Sequence, residues 1–325
     1  MSTVLDGLKK VRQTGDLWAS PWWGDAQYYI NSKITRQEAD LSFQVLRSVF
    51  TTEWASNYVG YLANAPTNEQ LAQCHPVVYW ILTQGIHSFQ HSFLFGSDLS
   101  TLRNANLLDK DLINRLRDAH NFPGAEFEVK IIAHFIREKF RVERDFPSGK
   151  GNKNCDIKIS KEKGGISEYA FIEITRPEDV CYENKKRYAE GMAQLARSLG
   201  AGEEESIRDV LREIGQGEYA LSEAAEIKKI ISKMEEKAAQ LPNNGPGLIV
   251  IYTPMALAPR SSMGLFEAEV DTLLQTLPVV SAVVLFEAYF VVGFGIRYQT
   301  NVFLNPGAAI DLSTSETMNA IEHFS

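Results

Sequence analysis

Two spacings of apolar residues divide this chain. Over the first 120 residues they recur every third or fourth position, the period of helices packed on one face. The stretch "TRQEADLSFQVLRSVFTTEWASNYVGYLANA" carries Leu41, Val45, Val49 and Phe50 in that spacing. "PVVYWILTQGIHSFQHSFLF" is apolar nearly all round and opens with Pro76, a good first-turn residue, which predicts one central buried helix. "DKDLINRLRDAH" predicts a further short helix, and "NFPG" then punctuates the chain. From Gly124 the order changes. "AEFEVKIIAHFIREKF" predicts a helix, and "FRVERDF", "CDIKIS" and "EYAFIEIT" predict three short strands, an αβββ order. Helical patterns return in "PEDVCYENKKRYAEGMAQLARSLG", "GEEESIRDVLREIG" and "LSEAAEIKKIISKMEEKAAQL". "GLIVIY" and "SAVVLF" are apolar throughout, as strands buried on both faces are, with the helical "GLFEAEVDTLLQTL" between them and a last strand at "IRYQTNVFL". No repeat or low-complexity tract interrupts this order.

With 325 residues, 44% hydrophobic and 23% charged, the chain exceeds what one small core needs. Two domains are expected, a helical one over 1–120 and an α/β one over 121–325 with a helical insertion around 201–240. All five tryptophans, Trp18, Trp22, Trp23, Trp54 and Trp80, fall in the first 80 residues, which sets that part off. Cys74, Cys155 and Cys181 are odd in number and form no Cys-x-x-Cys pair, so no disulfide framework or thiolate zinc site is indicated and a reducing cytoplasm is expected. The N-terminus "MSTVLDGLKKVRQ" lacks the apolar core of a signal peptide. The longest apolar run, "LPVVSAVVLFEAYFVVGF", is broken by Pro278, Ser281 and Glu287 and is too short for a membrane span, so no membrane partner is expected.

Charge changes the picture by its distribution rather than by the total of −8. Basic against acidic residues number 10 and 11 over 1–120, 15 and 13 over 121–200, and 8 and 17 over 201–325. The middle segment is therefore net +2 in an acidic chain, and Lys150, Lys153, Lys158, Lys161 and Lys163 flank Asp156. A phosphate-bearing partner suits such a cluster, although a solvated hairpin explains the charges more simply.

The candidate chemistry lies in "NCDIKISKEKGGISEYAFIEITRP", residues 154–177. Strand side chains alternate faces, so Asp156 and Lys158 project together, as do Glu173 and Thr175. On neighbouring strands the two carboxylates converge, the oxygen-donor arrangement a hard divalent cation needs. At these residues the sequence resembles the restriction-endonuclease-like superfamily, the PD-(D/E)XK nucleases, over roughly residues 121–310. The resemblance implies a central mixed sheet flanked by helices, with a glutamate on the helix before the strands, Asp on the second strand and Glu-x-Lys on the third. It also implies metal-dependent hydrolysis of DNA or RNA with Mg²⁺ or Mn²⁺ held by Asp156 and Glu173. The alternative is a catalytically lapsed module of the same fold that binds nucleic acid or protein.

Of the two helix glutamates, Glu128 precedes Ile131, Ile132 and Phe135 at helical spacing and is expected on the core side, whereas Glu126 is expected to face outward. The third strand departs from the family pattern, reading Glu173-Ile174-Thr175 where lysine belongs. One of two lysines is expected to supply that cation, Lys185 ahead of Lys158. Lys158 shares the face of Asp156, and Lys185 interrupts a stripe of Cys181, Tyr188, Met192, Leu195 and Leu199. His87 and His91 stand one helical turn apart, but without the glutamate of a His-Glu-x-x-His site they are expected to be structural. "GFGIR" lacks the context of a dinucleotide loop, and no Gly-x-x-x-x-Gly-Lys occurs.

Overall fold

The computed structural model describes Trp18 and residues 34–61, 75–82, 86–151, 153–176, 218–253, 261–291 and 295–324. The chain divides into two compact units, Met1–Lys139 and Phe140–Ser325.

All described elements of the first unit are helices: α1 (Arg36–Val49), α2 (Thr52–Tyr61), α3 (Pro76–Leu82), α4 (Ile86–Asn104), α5 (Lys110–Arg117) and α6 (Phe122–Arg137). The N-terminus of α1 is closed by a capping box. Thr35 Oγ1 accepts from the Glu38 N–H at 3.2 Å, and the Glu38 carboxylate accepts from the Thr35 N–H at 2.7 Å. Ala39, Phe43, Leu46 and Phe50 are buried, whereas Leu41 is exposed. Close approach of α1 to α4 depends on Gly96, where a Cβ would stand 2.4 Å from the Ser42 carbonyl oxygen. The apolar run expected to form one helix is described as α3 and α4, on either side of residues 83–85.

The division at Lys139 comes after α6 rather than before it, although a boundary near residue 120 was expected. Phe122, the first residue of α6, makes the difference. Its ring meets His75 at 4.6 Å, Phe95 at 5.6 Å, Trp80 at 5.7 Å and Phe50 at 6.3 Å between centroids, which binds α6 into the aromatic core of this unit.

The second unit holds β1 (Arg141–Pro147), β2 (Asn154–Lys163), β3 (Ile166–Thr175), α7 (Glu218–Ala238), β4 (Gly247–Thr253), α8 (Ser261–Leu274), β5 (Val280–Val291), β6 (Gly295–Leu304) and α9 (Glu316–Glu322). Its strands form one six-stranded mixed sheet in chain order. β1, β2 and β3 run antiparallel, β4 joins β3 and β5 joins β4 in parallel, and β6 returns antiparallel on β5. This is an α/β sheet flanked by helices.

β3 changes character along its length, and that change sets up the site. Ser167 to Tyr169 are largely exposed, whereas every residue from Ala170 to Thr175 is buried. The buried end is where β4 pairs, Phe171 to Thr175 against Gly247 to Ile251. Strand alternation then puts Phe171, Ile249, Ile251, Val283 and Leu285 on one face, where Ile227, Ile230, Met234 and Ala238 of α7 and Phe266, Val270 and Leu273 of α8 cover them. Each of these Val, Leu, Ile, Phe and Met side chains contributes roughly 1.5–3 kcal/mol by leaving water. Expected within a helical insertion around 201–240, α7 is instead part of this core. On the opposite face Glu168 anchors α9, accepting from the Glu316 and Thr317 N–H groups at 3.0 and 2.9 Å and from Thr317 Oγ1 at 2.8 Å. Among the described residues no helix is long and apolar enough to cross a membrane.

Candidate active site

Asp156 on β2 and Glu173 on β3 are brought side by side by the antiparallel register, in which Ile157 faces Ile172. Each carboxylate is tied to the other residue's strand. Asp156 Oδ2 accepts from the Ile174 N–H at 2.7 Å, and Glu173 Oε1 accepts from the Asp156 N–H at 3.2 Å. These bonds fix both headgroups before any ligand arrives.

A third group completes the cluster from α7. Lys237 Nζ donates to Asp156 Oδ2 at 2.9 Å and to Glu173 Oε2 at 2.8 Å. Its placement follows from helical spacing: Lys237 is seven residues after Ile230 and three after Met234, both in the core under the sheet. It also lies in the last turn of α7, where the helix dipole favours a cation. The Glu173 side chain is 0% exposed and that of Lys237 16%, whereas Asp156 retains 30% and forms the solvent side of the cluster.

Burial shapes the electrostatics. It raises the Glu173 carboxyl, the Asp156 charge raises it further, and Lys237 pulls it back, leaving it at about 7 instead of 4.5. For Lys237 burial works against the charge, but the attraction of Asp156 and then Glu173 outweighs it and holds the ammonium at about 12. Below that pH the cluster carries its own cation. Cys155 lies beside the carboxylates, and burial followed by their negative charge pushes its thiol far above its ordinary range. It stays protonated and donates to the Ile157 and Ile172 carbonyls, each at 3.3 Å, so it offers no thiolate.

The chain has no match among protein-family models, curated proteins or solved structures.

Lys158, one of the two lysines expected to supply the missing cation, does not occupy this position. Lys158 lies 4.5 Å above the Phe146 ring and 5.9 Å from that of Tyr169, with Glu143 Oε1 at 4.0 Å. Side-chain direction along the strand therefore overrides its shared face with Asp156. Lys185 lies outside the described residues. Thr175 is buried at the end of β3, in the position where a Glu-x-Lys motif carries its lysine. Glu128 is buried as expected, in the first unit, where it accepts from Arg115 Nη1 at 2.7 Å. Glu126, expected to face outward, is half-buried and paired to Lys130 at 2.7 Å, because Lys130 follows it by one helical turn. His91 stacks on Trp80 with ring centroids 5.1 Å apart, and the side chain of His87 is outside the described set.

Among the described residues no three His, Cys, Asp or Glu side chains gather in a way that could hold a metal ion. Asp156 and Glu173 thus offer two hard oxygen donors, a set that suits a cation keeping several water or substrate oxygens, as Mg²⁺ does. The sequence signal for Lys237 is a basic residue on the same stripe as Ile227, Ile230 and Met234, in a helix remote from the acidic strands.

Proposed function

We propose that this chain is a metal-dependent nuclease of restriction-endonuclease-like type, hydrolysing phosphodiester bonds of nucleic acid. The observation that carries the reading is one ammonium, Lys237 Nζ, within 2.9 Å of two carboxylates on adjacent strands. Asp, Glu and Lys are the three residue types such a site requires, and here the lysine comes from a helix. Supporting it are the order of the strands, three antiparallel followed by a parallel fourth, and the acidic residues on the second and third of them.

Asp156 and Glu173 would hold Mg²⁺ or Mn²⁺, which supplies a more acidic bound water and a counter-charge for the attacked phosphate. The remaining work belongs to the chain. Main-chain N–H groups hold both carboxylates in place, so little reorganisation is required when substrate arrives. Lys237, charged throughout the neutral range, donates hydrogen bonds and offsets the charge that builds on the phosphate in the transition state. Asp156 marks the approach side, since it alone of the three is substantially exposed.

Cleavage of labelled DNA and RNA with Mg²⁺ and Mn²⁺ tests the proposal. Asp156→Ala is expected to abolish cutting, and Lys237→Ala to lower kcat by about 10² or more. Wild type inert on every nucleic acid with both metals would reject it. A second reading, a lapsed module that binds nucleic acid or protein, is favoured by one feature: the triad satisfies its own charges, with Glu173 wholly buried. Metal-independent binding by an inert wild type would select that reading.

A further inference from the structure

Resting on the nuclease reading, we infer that Lys237 is a resident counter-cation, which a divalent metal must displace from the two carboxylates and which thereby sets the affinity of the site. A metal bridging Asp156 and Glu173 needs an oxygen from each. The ammonium occupies that place, 2.9 Å from Asp156 Oδ2 and 2.8 Å from Glu173 Oε2. The remaining oxygens are unequally available. Glu173 Oε1 is engaged by the Asp156 N–H at 3.2 Å and its side chain is fully buried, so a metal gains no second route to it. Two cations within contact distance of the same pair of oxygens repel each other, the more so beside the fully buried Glu173.

Displacement has somewhere to go. Lys237 stands in the last turn of α7, and its flexible four-carbon stem lets the headgroup swing while the helix stays packed through Ile230, Met234 and Ala238. The solvent side of the cluster is the Asp156 side, the same side from which a phosphate would approach. Metal arrival would therefore free the ammonium where substrate binds. One group would neutralise the two carboxylates and, once released, assist the reaction. The exchange trades two hydrogen bonds of the ammonium for coordination by the same oxygens, and no covalent bond is made or broken.

The test uses full-length protein and metal alone, without nucleic acid. In wild type, brief treatment with an amine-acylating reagent followed by peptide mass spectrometry reports the exposure of Lys237. Saturating Mn²⁺ is expected to raise its labelling several-fold while leaving Lys233 unchanged, and unchanged or lower labelling of Lys237 with Mn²⁺ bound overturns displacement. Calorimetric titration with Mn²⁺ gives the second measurement. Lys237→Met, which keeps bulk and removes charge, is expected to bind at least about tenfold tighter than wild type. Equal or weaker binding by a Lys237→Met protein whose circular dichroism matches wild type overturns the inference alone and leaves the nuclease reading standing. If neither protein binds Mn²⁺ at any concentration, the metal-dependent reading falls with it. The labelling experiment needs no variant, so a Lys237→Met protein that fails to fold leaves the inference open to refutation.

Discussion

At the scale of single residues, the chemistry turns on how a fully buried glutamate is tolerated. An ionised carboxylate in such a place costs several kcal/mol unless it is paired and hydrogen-bonded, and Glu173 has both Lys237 and the Asp156 N–H. Its carboxyl nonetheless titrates near 7, so the folded chain holds a proton there that the unfolded chain releases near 4.5. The raised value means that this stabilising contribution is complete below about 4.5 and is lost as pH rises through about 7. Urea midpoints of wild type and Glu173→Gln across that window are expected to diverge, wild type losing on the order of 1–3 kcal/mol relative to the variant. A constant difference would show that Glu173 titrates as an ordinary glutamate. By the same site geometry, Lys158→Ala is expected to leave the cleavage rate near that of wild type, since its ammonium points to Phe146 and Glu143.

At the scale of elements, α7 both builds the core and presents the lysine. Met234, wholly buried one turn before Lys237, is the residue that couples the two roles. Met234→Ala is expected to cost about 2–5 kcal/mol of unfolding free energy, measured by denaturant titration. It should also depress cleavage under conditions where the variant remains folded, because a helix that settles into the cavity moves the ammonium. The junction of β4 and β5 is a second tight point. A Cβ on Gly247 would meet the Val279 carbonyl oxygen at 2.5 Å, and backbone cannot yield as a side chain can. Gly247→Ala is therefore expected to destabilise by about 1–3 kcal/mol on denaturation without changing metal affinity.

For the whole molecule, the division into two compact units predicts separate folding. Residues 140–325 contain all six described strands, the core beneath them and all three members of the triad. Expressed alone, they are expected to give a cooperative thermal transition and to retain Mn²⁺ binding. A fragment beginning at 121 would carry α6 with the Phe122 ring bared of His75, Trp80 and Phe95, which meet it in the first unit. That fragment is expected to aggregate more than the one beginning at 140, by light scattering at equal concentration. The reverse order would place α6 with the sheet unit after all.

What the sequence determined by itself was whatever depends on neighbours along the chain. Alternation marked β1 to β3, unbroken apolar runs marked β4 and the start of β5, and strand parity put Asp156 and Glu173 on one face. The pairing of those carboxylates was legible because the turn between their strands is short, Lys163 to Ile166, and a hairpin register follows from it. Lys237 was not, being 64 residues from Glu173 and 81 from Asp156. Its helix reads as amphipathic, and a lysine near its C-terminus reads as an ordinary solvated end. Only the packing of α7 on that face of the sheet makes this lysine the partner of the two acids. The same holds for α6, whose apolar stripe says that it is covered but not by which unit. Periodicity declares that a face must be buried; which surface buries it is settled by the competition of all faces for one another, and that is decided in three dimensions.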